Sequence, residues 1–117
     1  MKIDERAKSV VFVELSIEHD FNELERGPYE DQRLAGSIRE VITKLKENPE
    51  AGVKIPRRLW PREYIVKYAI TNLWKYDLID GWRLIYFIRG DKVAVVSVLI
   101  EWMGHTHYNR TMNHRST

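Results

Sequence analysis

A chain of 117 residues that is 44% hydrophobic can bury one modest core, which predicts a single domain over residues 1–117, and its lack of cysteine excludes a disulfide framework and thiolate chemistry. The charged start has no apolar signal-peptide core and no apolar run nears the roughly 20 residues of a membrane span, so a soluble, cytoplasmic protein with no membrane partner is expected. The net charge of +2 is unevenly spread, with 8 Lys/Arg against 12 Asp/Glu over residues 1–52 and 9 against 4 over residues 53–92; a basic half suits an anionic partner, against the plainer reading of ordinary solvated charges.

Residues 9–17 are rich in β-branched and aromatic side chains and predict a first strand. Residues 19–28 are polar and end in Gly27-Pro28, the composition of a loop or an irregular helical turn. Leu34, Ile38, Val41, Ile42 and Leu45 then draw one apolar stripe at helical spacing, and Asn48-Pro49 followed by Gly52 ends that helix. Pro56 and Pro61 bracket a segment too broken for regular structure, and Pro61 opens a short helix through Tyr64, Ile65 and Tyr68. Beyond Asn72 the period becomes strand-like. Residues 73–78, 82–89 and 92–102 are three β-rich runs joined by Ile79-Asp80-Gly81 and Arg89-Gly90-Asp91, and such short links force antiparallel neighbours. The last run is apolar on both faces, so it belongs in the middle of the sheet, while residues 109–117 hold only Met112 as an apolar group and predict a frayed tail. The expected class is α+β: an N-terminal strand, a helical segment and a three-stranded antiparallel meander, giving a four-stranded twisted sheet packed on helices.

Three clusters carry chemistry. Lys54, Arg57, Arg58 and Arg62 interleave with Leu59 and Trp60, a mixture suited to a nucleic-acid backbone, with the alternative that Trp60 simply plugs the core. Arg83 stands on a strand, where a rigid guanidinium fork matches two phosphate oxygens; its alternative is an ion pair with Asp77 or Asp80 across the hairpin. His105, His107 and Tyr108 follow the last strand, and imidazoles beside a phenol can exchange protons at a reacting phosphate. A metal held by His105, His107 and His114 is the alternative, and it lacks any supporting carboxylate or thiol after Glu101. The expectation is therefore no metal and no cofactor. No phosphate-cradling glycine loop or nucleophile elbow is present in the sequence.

The segments Asn72-Leu-Trp-Lys-Tyr-Asp-Leu78 and Gly81-Trp-Arg-Leu-Ile-Tyr86, with the apolar strand closed by His107-Tyr108, resemble the RelE/ParE superfamily of small toxins from toxin–antitoxin systems. Lys54-Ile-Pro-Arg-Arg-Leu-Trp-Pro61 looks like an archaeal version of that family. The resemblance implies a RelE-type endoribonuclease that cuts messenger RNA on the ribosome without a metal. It makes Arg83 the residue that neutralises the scissile phosphate. The His-Tyr ending is similar to the YoeB-like branch, which makes His107 the general acid or base, Tyr108 an orienting or proton-donating group, and His105 a stand-in. Lys54, Arg57, Arg58, Arg62, Lys75 and Arg89 are the candidate RNA contacts. A cognate antitoxin is the implied protein partner, with a homodimer left open.

The chain departs from the pattern at several positions. The RelE-type strand before the Gly-aromatic-Arg turn carries paired lysines, and here it offers Lys75 alone. An arginine expected near the end of the last strand is replaced by Glu101-Trp102, and the YoeB-like glutamate falls on Ile55, leaving Glu63 or Glu101 as substitutes. Two other outcomes stay open: a ParE-type protein that binds DNA gyrase, and a catalytically degenerate binding protein.

Overall fold

The computed structural model describes residues 4–113 as one mixed sheet with helices on both faces. Five strands, β1 (Ala7–Phe12), β2 (Val53–Lys54), β3 (Trp74–Asp77), β4 (Arg83–Gly90) and β5 (Ala94–Met103), lie in the order β1-β5-β4-β3-β2. The helices are α1 (Leu15–Arg26), α2 (Tyr29–Glu47), α3 (Arg62–Tyr68) and α4 (His105–Asn113). The expected meander is present: β3, β4 and β5 run antiparallel in sequence order, and β5 sits centrally between β4 and a parallel β1. A register shift at Ile85/Tyr86 places one extra residue in β5.

Three expectations are corrected. The first strand is shorter and earlier than residues 9–17, and the polar stretch after it is helix α1, whose stripe of Ile17, Phe21 and Leu24 buries Phe21. The sheet has five strands because Val53 and Lys54 pair with Lys75 and Trp74, a two-residue edge that composition alone does not signal. The expected tail is helical through Asn113: Met112 is fully buried and anchors α4 to the sheet. Residues 114–117, including His114, lie outside the described residues.

Alternation along the strands separates two cores. On one face Leu84, Tyr86 and Leu99 pack against Leu34, Ala35, Ile38, Val41 and Leu45 of α2 and Phe21 of α1. On the other, Ile85, Phe87, Val98 and Ile100 pack under Ile55, Trp60, Tyr64 and Met112. Gly52 lets the chain approach β3 closely as it enters edge strand β2, since a Cβ there would lie 2.5 Å from the Lys75 carbonyl and 2.7 Å from the Tyr86 hydroxyl.

Candidate functional site

The turn between β3 and β4 sets the site. Asp80 (φ 54°) and Gly81 (φ +78°) take left-handed conformations, and Leu78 N–H donates to the Trp82 carbonyl at 2.7 Å, so the chain reverses within a few residues. Asp77 then stands opposite Arg83 and Lys75 opposite Ile85. All four therefore face the side covered by α3 and α4. The stripe Leu34–Leu45 covers the other side, so Arg83 lies on the face opposite that helix, as its strand position implies.

Helix α4 closes over this end of the sheet. His105, Tyr108, Asn109 and Met112 recur at helical spacing on one face, and burial of Met112 draws that face down. The Arg83 guanidinium carbon lies 4.7 Å from the centre of the Tyr108 ring, and the Lys75 ammonium lies 6.0 Å from the same ring. Arg83 Nη1 reaches His105 Nδ1 at 2.9 Å. A guanidinium only donates, so His105 accepts at Nδ1, and its other ring nitrogen, Nε2, lies 3.2 Å from the Asn109 side-chain amide. Asp77 Oδ1 lies 3.1 Å from Lys75 Nζ and 3.5 Å from Arg83 Nε. Burial pushes the Tyr108 phenol above its usual range despite the nearby guanidinium, so it keeps its proton as a neutral donor.

The structure brings together Arg83, Lys75, Tyr108 and His105 from the expected set. His107 sits roughly 200° around α4 from His105, exposed and outside the cluster, so the imidazole beside Arg83 is His105. Arg89 shares the face of Arg83 but lies six residues along β4, about 20 Å away, where its Nη2 donates to the Tyr68 carbonyl at 2.6 Å. Lys54 pairs with Trp74 and points to the other face, with its ammonium 5.8 Å from the Trp74 ring. Arg57, Arg58 and Arg62 are exposed on the connector and the start of α3. Trp60 is buried, donates from Nε1 to the Ile55 carbonyl at 2.8 Å and offers no free stacking face, which is the core-plug alternative. Asp80 pairs with Arg33 at 3.1 Å, so Asp77 is the carboxylate that meets Arg83. Glu63 is exposed on α3, and Glu101 accepts a hydrogen bond from the Tyr64 hydroxyl, whose proton is held tightly by burial and by that carboxylate. Among the described residues no group of three or more His, Asp or Glu side chains is placed to hold a metal ion.

Asn109 is the residue that sequence reasoning left in the tail. Its signal was the spacing of His105, Tyr108, Asn109 and Met112, which draws one helical face.

Residues 14–101 match the family model described as ParE toxin of type II toxin–antitoxin system, parDE. The chain belongs to the ParE toxin family. It is thereby a member of the RelE/ParE superfamily, and a type II system supplies a cognate antitoxin as its protein partner. Among solved structures, a YoeB/ParE toxin from Agrobacterium tumefaciens is similar, with TM-score 0.57 and 21% identity over 83% of this chain and 98% of that one, a likeness of fold. No curated protein matches the sequence. For this ParE-family toxin, Lys75, Asp77 and Arg83 fall within the matched span, whereas His105 and Tyr108 lie beyond it. Among the described residues no helix is long and apolar enough to cross a membrane.

Proposed function

We propose that this toxin is a metal-independent endoribonuclease that cuts messenger RNA on the ribosome. The observation that carries the reading is the convergence of Arg83, Lys75, His105 and Tyr108 on one end of the sheet. A scissile phosphodiester seated on the two cations replaces His105 as the partner of Arg83 Nη1, which frees Nδ1 to accept a proton. The ribose 2′-hydroxyl gives its proton to that nitrogen, its oxygen bonds to phosphorus, and the bond from phosphorus to the 5′-oxygen breaks. The neutral Tyr108 phenol protonates the leaving oxygen, while Arg83 and Lys75 neutralise the charge that grows on the non-bridging phosphoryl oxygens. The exposed Arg57, Arg58 and Arg62 supply backbone contacts away from the reacting bond.

The decisive experiment uses programmed ribosomes in EDTA. His105→Ala is expected to slow cutting by about a hundredfold, the usual scale for a proton-transfer group, and His107→Ala to leave it nearly unchanged. Undiminished cutting by the His105 variant rejects this assignment. Membership of the ParE family favours a second reading, inhibition of DNA gyrase. A supercoiling assay separates the two, because an RNA-cutting toxin leaves gyrase turnover intact.

A further inference from the structure

The strand on which the RelE resemblance expects two lysines carries Lys75 and Asp77 on the site face. Asp77 touches both cations with a single oxygen, 3.1 Å from Lys75 Nζ and 3.5 Å from Arg83 Nε, and the Nε makes no hydrogen bond in that position. The two cations are largely covered, at 20% and 19% side-chain exposure, while the carboxylate is 67% exposed at the mouth of the site. A negative charge in that place acts in two opposed ways. It holds the ammonium and the guanidinium in register on the Tyr108 ring, and it repels any phosphate approaching them.

We propose that Asp77 is the internal counter-anion of this site, a positioning residue that an incoming phosphodiester must displace and that keeps phosphate affinity low until the rest of the RNA is seated. The inference rests on the reading of the cluster as a phosphate site. It assigns a residue outside the proton-transfer set, and it gives the missing second lysine a consequence: the site holds two cations and one fixed anion in place of three cations.

The test is Asp77→Asn, which keeps size and removes charge at an exposed position. A 2′-O-methyl RNA oligonucleotide, lacking the nucleophile, serves as the uncut probe. The variant is expected to bind it about three- to tenfold more tightly at low salt. The slope of log affinity against log salt should steepen by about 0.7, one more phosphate neutralised on a single strand. With cleavable RNA, KM falls while kcat changes less, and Asp77→Ala, which also frees the guanidinium, lowers kcat further. A merely structural aspartate would weaken binding and lower the melting temperature together. Inorganic phosphate, followed through the Arg83 Nε–H resonance, separates this inference from the RNA reading. Tighter phosphate binding by Asp77→Asn with no RNA cutting by either protein upholds the counter-anion and rejects the nuclease. Equal or weaker binding by the variant, or no phosphate binding by it at all, overturns the counter-anion.

Discussion

The two faces of the sheet are built from the same strands and do different work. On the α1–α2 side, Leu84, Tyr86 and Leu99 meet an apolar helix stripe, and the polar hydroxyl among them is satisfied on both sides. On the α3–α4 side the middle is equally apolar, with Ile85, Phe87 and Tyr64, but the end beside the β3–β4 turn carries Arg83, Lys75 and Asp77. Neighbouring residues of β4 thus divide the tasks: Leu84 and Tyr86 fill one core while Arg83, one step away, faces the site. A strand alternation of two residues lets one rigid element hold a cation in place without drawing charge into the main core.

That division is easiest to break from the apolar side. Leu99→Ala removes a fully buried side chain beneath α2 and is expected to destabilise the fold by about 2–5 kcal/mol in thermal or denaturant unfolding. Arg83→Ala is the converse. It should slow RNA cutting by about a hundredfold or more, equivalent to roughly 2.7 kcal/mol of transition-state stabilisation, while moving the melting temperature far less than Leu99→Ala. If Arg83→Ala unfolds the protein as readily as Leu99→Ala, the separation of packing from chemistry is lost.

The same contrast explains how much was legible beforehand. Strand β5 and helix α2 declare themselves because their side chains are buried in runs or stripes whose period is that of the backbone. Helix α1 did not: its stripe of Ile17, Phe21 and Leu24 is diluted by Glu18, Asp20, Glu23 and Glu25, and it follows directly on β-branched Val11 and Val13. Helix α4 was hidden for another reason. Its helical face of His105, Tyr108, Asn109 and Met112 holds Met112 as its one aliphatic residue, and the rest docks through Tyr108 and His105 on Arg83, so the period is there but its apolar signal is weak. The choice between His105 and His107 follows from that helix, since only one of them shares a face with Tyr108 and Met112. Asp77 was visible as an ion-pair partner of Arg83 from the hairpin register, but its simultaneous contact with Lys75 needed the side chains in place. Arg83 itself was placed correctly because alternation in a strand needs no tertiary information.

The finest test of the comparison lies in the Tyr86 hydroxyl on the apolar face. Tyr86 donates to the Pro49 carbonyl at 2.7 Å and accepts from Gly52 N–H at 3.1 Å, tying β4 to the segment that follows α2. Tyr86→Phe leaves both backbone groups without that partner and is expected to lose about 1–3 kcal/mol, less than Leu99→Ala. Burial pushes the phenol up to about 12, against an ordinary value near 10. Below pH of about 10 both folded and unfolded chains keep the proton, and the whole contribution is present. Between about 10 and about 12 the unfolded chain ionises while the folded one does not, so stability falls as the pH rises through that window. Chemical denaturation of wild type and variant across it should show the wild type losing its advantage with increasing pH. A constant difference between the two would mean that the hydroxyl is wetter than its packing implies, and that the apolar face admits water much as the site face does.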